Sequence, residues 1–328
     1  MPISKQTLDE AALSQEEYDL IVQRLGREPN AVEIGMFGSL WSEHCGYKHS
    51  KLLLKRFPTK SRRVLVRVGE ENAGVVDIGD GLAIVMKIES HNHPSAIDPF
   101  NAAATGVGGV VRDILTMGAS PIAVLDSLRF GPLSETRSGE LLSGVVSGIA
   151  HYAGHIGVPG IGGEVFFAPT YSSNPLVNAM CVGLVKASRL VKGRASGVDN
   201  LLMLVGGDTG RDGVHGATFA SVALAEEEKP SPVAIGNPDL EKHLIGACLE
   251  LFETQYLVGM QDLGAAGLTC STVECAARAG TGVAFDVLKV PRREEGMTPE
   301  EVLLSESQER MLVVVLAIDP FLAGDVGR

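Results

Sequence analysis

The chain has 328 residues, of which 45 % are hydrophobic, and this suffices for two domains with buried cores. Its 40 acidic and 28 basic side chains give a net charge of −12, which argues against nucleic-acid binding, as does an aromatic content of 5 %. A polar N-terminus, the lack of any apolar run of roughly 18 residues, and five scattered cysteines without zinc spacing predict a cytoplasmic protein with reduced thiols and no membrane partner.

The first 60 residues are predicted to be mainly helical. Ser14-Gln15-Glu16-Glu17 is a capping box ahead of one helix, and Pro29 begins a second helical stretch that ends near His44. Residues 61–190 alternate short apolar runs with longer helical patterns, which is typical of an α/β domain. The predicted strands here are Val64–Val68, Leu82–Ile88, Pro121–Leu128 and Val177–Val185, and the predicted helices are Pro99–Met117 and Gly139–His155.

A second α/β unit is predicted over residues 197–328, after a polar, glycine-bearing boundary at residues 186–199. Its predicted strands are Leu201–Val205, Leu257–Gln261, Val283–Val287 and Met311–Ala317, and its predicted helices are Asp239–Phe252 and Leu263–Ala279. The expected fold class is therefore α/β with mixed sheets in both domains.

The stretch 85–113 is the most informative part of the chain. An apolar strand runs into Lys87, Glu89 and the polar segment Ser90–His93, and the helix that follows carries Arg112 and Asp113. Strand-to-helix connections are where α/β proteins place their chemistry. We therefore expect a functional site at this connection.

Each residue type here has both a chemical and a purely structural interpretation. Carboxylates such as Glu89, Asp113 and Asp262 suit Mg²⁺, which takes oxygen ligands beside ATP phosphates, but a single acid is more often a surface group or a helix cap. A lone histidine is likewise more often structural than catalytic. Arg112 can form a forked contact with phosphate, or an ion pair with Asp113 or another acid.

Four segments, in order along the chain, resemble the signature motifs of formylglycinamide ribonucleotide amidotransferase, and more narrowly the synthetase subunit of its multi-protein bacterial form. Long motifs in a shared order are far more specific than a single short glycine pattern. The four segments are Trp41–Lys48 (WSEHCGYK), Lys87–Ser95 (KIESHNHPS), Gly259–Gly267 (GMQDLGAAG) and Leu304–Arg310 (LSESQER).

The resemblance implies a role for each matched residue. His44 would lie in the active site, and His91 would act as proton acceptor. Tyr47 and Lys87 would bind ATP, and Glu89, Asp113 and Asp262 would bind Mg²⁺. The residues implied in substrate binding are Ser90, His91, Asn92, His93, Arg112, Glu306, Ser307 and Gln308. The glycine-rich loop at 206–215 also matches, which would bring Arg211 and His215 towards the substrate.

The same resemblance implies an ATP-dependent carbon–nitrogen ligase of purine biosynthesis that uses glutamine as amide-nitrogen donor. It would convert formylglycinamide ribonucleotide and ammonia into the amidine, with ADP and phosphate as the other products. No cysteine lies in a nucleophile elbow, so a separate glutaminase subunit would supply ammonia, helped by a small accessory subunit.

The resemblance also implies two domains of the aminoimidazole-ribonucleotide-synthetase type, N-terminal and C-terminal, behind a helical segment at 1–60 that carries the His44 motif. Family members hold two tandem copies of this pair, so the chain is expected to cover the first copy, with a truncated second domain. If no second half is present, the first domain would pair with its counterpart in another chain to form a homodimer.

Two alternatives stay open. The chain resembles, less closely, other ATP-dependent synthetases of the superfamily, such as aminoimidazole ribonucleotide synthetase. It is also consistent with a catalytically incomplete, nucleotide-binding half. One departure from the family favours the latter: Ala234 stands where the family has a glutamine that contacts the substrate, and alanine cannot supply those hydrogen bonds.

Overall fold

The computed structural model describes residues 4–214, 216 and 233–317. Its N-terminal part is helical, as predicted, and two of its helices begin with capping boxes, Ser14 with Glu17 and Asn30 with Glu33. These helices enclose a small core around Ile21 and Ile34. The N-terminal helices are α1 (Lys5–Glu10), α2 (Gln15–Leu25), α3 (Ala31–Leu40), α4 (Glu43–Gly46) and α5 (Lys51–Leu54).

The next part of the chain builds a six-stranded mixed sheet with the strand order β1-β2-β3-β6-β4-β5. β3 is antiparallel to both of its neighbours, whereas β4 and β5 are parallel. The strands are β1 (Val64–Val66), β2 (Gly74–Gly79), β3 (Leu82–Ser90), β4 (Ser120–Phe130), β5 (Gly160–Phe167) and β6 (Leu176–Lys186), and the helices are α6 (Asn92–Ile97), α7 (Pro99–Thr116) and α8 (Thr136–Ile156).

Side-chain alternation separates the two faces of this sheet. Ala83 and Val85 on β3 are fully buried with α7 and α8 in the main core, because successive side chains on a strand point to opposite faces. On the other face, Met86 is 36 % exposed and Ile88 is 58 % exposed. Within the described residues, the long helices pack on one face of the sheet and leave the other apolar and open.

The second part forms a three-stranded antiparallel sheet with the order β7-β9-β8. Its later helices pack on a second core. The helix over Pro238–Leu251 contacts α7 and α8 of the first part, so the two parts share an interface. The elements are β7 (Leu201–Gly206), α9 (Pro238–Leu251), β8 (Leu257–Asp262), α10 (Gly267–Ala279), α11 (Pro299–Leu304) and β9 (Arg310–Val315). No described helix is long and apolar enough to cross a membrane.

Both domains have the mixed helix and sheet content that was expected, but individual elements differ. The predicted strand Val283–Val287 is wrong: residues 283–286 are irregular and a 3₁₀ helix covers Val287–Lys289. Val283 and Val287 do pack on the second core, so their apolar character reflects burial without strand pairing. The helix predicted from Leu263 begins only at Gly267, since Ala266 is left-handed with φ 54°. The predicted domain boundary at 186–199 stays a prediction.

Candidate active site

Lys87 and Glu89 point from β3 towards the helical side of the sheet, where α7 presents Asp113. Lys87 Nζ lies 2.9 Å from Asp113 Oδ2 and 3.9 Å from Glu89 Oε2. Burial lowers the pKa of Lys87, but the charges of Asp113 and Glu89 outweigh burial and leave the pKa raised. Lys87 therefore stays protonated and positively charged between these carboxylates.

The two predicted catalytic histidines lie beside Glu89. His91 Nε2 is 3.7 Å from Glu89 Oε1, and His91 Nδ1 is 2.9 Å from the Ala102 carbonyl oxygen. A carbonyl only accepts, so Nδ1 carries the proton and Nε2 faces the carboxylate. Burial lowers the pKa of His91, but the hydrogen bond and charge of Glu89 leave it raised. Burial lowers the pKa of His44, and Glu89 opposes that shift.

Asp262, at the end of β8, brings a third carboxylate from the second domain. Its Oδ1 accepts a hydrogen bond of 3.1 Å from Asn72 Nδ2. Asn72 Oδ1 in turn accepts from Gln261 and Arg278 at 3.0 and 3.1 Å. Asn72, from the first domain, therefore orients Asp262, and its side-chain amide is itself held by Gln261 and Arg278.

The carboxylates of this cluster repel one another. Burial raises the pKa of Asp113, as do the charges of Asp262 and Glu89, while Lys87 opposes the shift. Among the described residues, no three acidic, histidine or cysteine side chains converge closely enough to hold a metal ion by themselves. Mg²⁺ usually keeps waters and phosphate oxygens as ligands beside one or two carboxylates. The donor set therefore fits a magnesium–nucleotide complex better than a closed metal cage.

The predicted substrate segment Ser90–His93 is divided between two environments. Ser90 lies on the open face of the sheet, where its hydroxyl donates to Asn178 Oδ1 at 2.5 Å. Asn92 Oδ1 and Ser95 Oγ are buried and have no hydrogen-bond partner within the described residues. His93 Nδ1 is 3.4 Å from Asn174 Nδ2. Unpaired buried polar atoms need an explanation, and a polar ligand is one.

The second predicted substrate segment, 306–308, is held next to the start of α10. Glu306 Oε1 accepts from the Ala266 amide at 3.0 Å, and Ser307 Oγ accepts from the Gly210 amide at 2.9 Å. A Cβ atom at Gly267 would lie 1.9 Å from the Ser305 carbonyl oxygen, so the close approach of these segments requires glycine there. The motifs around Asp262 and Gln308 are thus one structural unit.

Arg112 forms a buried ion pair, which was the structural alternative to a forked phosphate contact. Its Nη1 is 3.0 Å from Glu241 Oε2, and its Nη2 donates to Gln308 Oε1 at 2.6 Å. Burial raises the pKa of Glu241 to about 7, against the opposing charge of Arg112. A direct phosphate contact by Arg112 stays a prediction, and the partner acid is Glu241 rather than Asp113.

Two further predicted residues lie apart from these contacts. Tyr47 has a left-handed backbone at the end of α4, and it is 52 % exposed. Arg211 forms ion pairs with Glu294 and Glu301, at 2.9 and 2.8 Å, rather than reaching the cluster. His215 lies outside the described residues.

Sequence reasoning missed Asn72 and Glu241. Asn72 carries no pattern of its own, since only the fold brings it to Asp262. Glu241 did have a signal: it occupies the buried stripe of α9 with Leu244 and Cys248. An acid at a core-facing position of an amphipathic helix requires a buried cationic partner.

Comparisons with known proteins identify three related domains along the chain. The AIR synthase related N-terminal domain matches residues 70–185, the corresponding C-terminal domain matches residues 197–321, and the formylglycinamide ribonucleotide amidotransferase linker domain matches residues 4–48. The phosphoribosylformylglycinamidine synthase subunit PurL of Thermomicrobium roseum is 62 % identical over 96 % of this chain, which spans 43 % of that relative.

Solved structures give the same relationship. T. maritima PurL complexed with FGAR has a TM-score of 0.82 and 44 % identity, over 92 % of this chain and 48 % of that chain. T. maritima PurL complexed with ATP has a TM-score of 0.78 and 42 % identity, over 92 % of this chain and 46 % of that one. The chain spans less than half the length of the relatives it matches. With a linker domain and one pair of AIR-synthase-related domains, it belongs to the phosphoribosylformylglycinamidine synthase subunit PurL family.

Proposed function

We propose that the chain supplies an ATP-dependent carbon–nitrogen ligase site that converts formylglycinamide ribonucleotide and ammonia into formylglycinamidine ribonucleotide in purine biosynthesis. The observation that carries the proposal is the convergence of Lys87, Glu89, Asp113 and Asp262 beside two histidines, from both domains. The likeness to PurL structures that contain FGAR or ATP supports the choice of substrates.

The proposed reaction has two steps. The amide oxygen of the substrate attacks the γ-phosphorus of ATP, and ADP leaves. Ammonia then adds to the activated carbon, the C–O bond to phosphate breaks, and the nitrogen loses a proton as the amidine forms. His91 is proposed to accept that proton at Nε2, because Ala102 fixes its Nδ1–H and Glu89, 3.7 Å from Nε2, would stabilise the resulting imidazolium.

The remaining side chains would bind and orient the two substrates. Lys87 would pair with ATP phosphate, and the exposed Tyr47 would contact the nucleotide. Mg²⁺, held by Glu89, Asp113 and Asp262, would offset phosphate charge when bound. The ribonucleotide would be received between the two predicted substrate segments, Ser90–His93 with Arg112 on one side and Glu306–Gln308 on the other. Asn92 Oδ1, buried without a partner within the described residues, supports that placement.

Ammonia is proposed to come from glutamine through a separate glutaminase subunit, with a small accessory subunit that joins the two proteins in the cytoplasm. The word subunit in the name of the PurL relatives supports a multi-protein assembly. Affinity purification from the source cell is expected to recover both proteins, and recovery of neither would contradict this part of the proposal.

The test of the proposed activity is ADP release by the purified chain with ATP, Mg²⁺, ammonium and formylglycinamide ribonucleotide. We expect release that requires the ribonucleotide and ammonium together. Release with formylglycinamidine ribonucleotide instead would identify an aminoimidazole ribonucleotide synthetase. Retained Mg·ATP binding without any release would identify the chain as a nucleotide-binding half that needs a second one.

If no second half is present, the open face of the first sheet is proposed to pair with the same face of a second copy. The exposed apolar side chains on β3 support this, because a patch of that kind on a soluble domain usually marks an interface. Sedimentation should show a dimer, and Met86→Glu should shift it to monomer by burying a charge. Leu133→Glu changes an exposed leucine outside the sheet and should have no effect. A monomeric wild-type chain would contradict the pairing.

A further inference from the structure

A buried polar network crosses the interface between the two domains, directly behind the 306–308 segment. The first domain contributes Arg112 from α7 and Tyr152 from α8, which are 1 % and 0 % exposed. The second contributes Glu241 from α9 and Glu309, which are 0 % and 3 % exposed. Charges at this depth persist only where they are paired, since an isolated buried charge is strongly destabilising.

Arg112 divides its hydrogen bonds between an anchor and the loop. Nη1 binds Glu241 Oε2 at 3.0 Å, and Nη2 donates to Gln308 Oε1 at 2.6 Å. The other end of the Gln308 side chain, Nε2, donates to the Glu306 carbonyl oxygen at 2.8 Å. The amide of Gln308 is therefore held at both ends, and its orientation depends on where Glu241 holds the guanidinium.

A second contact supports the neighbouring residue of the same loop. Glu309 Oε1 accepts from the Tyr152 hydroxyl at 2.7 Å and from the Asn237 amide at 3.0 Å. Glu309 has a left-handed backbone, with φ 54°. A non-glycine residue in that region is strained and persists only where its surroundings hold it. The first domain thus supports this loop at two points, through Arg112 at Gln308 and through Tyr152 at Glu309.

We propose that Glu241 is a positioning residue for ribonucleotide binding. Its carboxylate balances the charge of Arg112 and directs it, and Arg112 then holds the Gln308 amide in the orientation that receives the substrate. Glu241 lies outside all four sequence motifs, and within the described residues its carboxylate reaches the 306–308 segment through Arg112, which bonds to both. The inference rests on the proposed function, because it takes the 306–308 segment as part of the ribonucleotide site.

The test is a double-mutant cycle with isothermal titration of formylglycinamide ribonucleotide. Glu241→Asp keeps the charge but withdraws the carboxylate by one methylene, and we expect about tenfold weaker binding, the equivalent of one lost buried hydrogen bond. Gln308→Ala should weaken binding to a similar extent. The loss in the double variant should be smaller than the sum of the two single losses, because Glu241 acts through Arg112 on Gln308. Mg·ATP binding by Glu241→Asp should equal that of wild type, a separation that general destabilisation would not produce.

Glu71→Asp is the matched control. Glu71 is also buried, with 8 % of its surface exposed, and accepts from Arg194 and the Gly193 amide. Within the part of the chain that the structure describes, it has no hydrogen bond to the 306–308 segment. It should leave ribonucleotide binding unchanged. Unaltered binding by Glu241→Asp, or additive effects in the double variant, would overturn the inference while the proposed function stands. Absence of binding by wild type would remove the proposed function and this inference with it.

A second measurement requires no variant and covers the case in which Glu241→Asp does not fold. In a crystal structure of the wild-type chain with bound ribonucleotide, Arg112 should remain within hydrogen-bond distance of both Glu241 and Gln308. Separation of Arg112 from Glu241 on binding would overturn the inference.

Discussion

Replacement of His91 by alanine is expected to reduce ribonucleotide-dependent ADP release by at least about 100-fold, the usual contribution of a general base. His91 is held from two sides, by the Ala102 carbonyl oxygen at 2.9 Å and by Glu89 at 3.7 Å. The variant removes both the proton acceptor and the charge that Glu89 stabilises. The loss should appear in kcat, whereas binding of Mg·ATP should persist because Lys87 and Asp113 are unchanged.

His243→Ala is the control for this prediction. His243 is exposed on α9, and among the described residues its Nδ1 bonds to the backbone of its own helix, at the Asp239 carbonyl oxygen. It should retain the wild-type rate. Steady-state rates of both variants, measured with thermal unfolding to show that each is folded, decide the matter. A His91→Ala variant that turns over within a factor of a few of wild type would assign His91 a structural role.

Replacement of Arg310 by alanine is expected to destabilise the chain by about 3 kcal/mol or more, through unpaired carbonyl groups and a cavity. Arg310 is 0 % exposed. Its three nitrogens donate to the Ser307 carbonyl, the Thr209 hydroxyl and the Ser305 carbonyl, at 2.7, 2.8 and 2.7 Å. These bonds hold the segment that precedes β9, which includes residues 306–308, so ribonucleotide binding should fall together with stability.

Arg189→Ala provides the comparison for urea unfolding. Arg189 is 48 % exposed and pairs with Glu253, which is 69 % exposed. Exposed ion pairs contribute about 1 kcal/mol or less, so its unfolding midpoint should move little. Equal midpoints for the two variants would show that the hydrogen bonds of Arg310 do not contribute much to stability.

The local elements of this fold follow from the sequence because their causes are local. The capping boxes at Ser14 and Asn30, the proline-started helix α7 and the apolar runs of β3 and β6 each depend on residues a few positions apart. The strand predicted at Val283–Val287 failed because apolar character reports burial, whereas a strand also requires a partner with free backbone groups. The edge strand β5 carries glycines and is exposed along its whole length, so it lacks the alternation that predicts strands.

The candidate site divides in the same way. The sequence by itself identified the family through motif order and named Lys87, Glu89, His91, Asp113 and Asp262 as its chemical groups. Only the tertiary structure brought Asn72 to Asp262, across 190 positions, and Glu241 to Arg112, across 129. It also placed Ser90 on the opposite face of the sheet from Glu89. The physical reason is that residue type and spacing determine what a side chain can do, whereas the partner of a buried charge is determined by packing between domains.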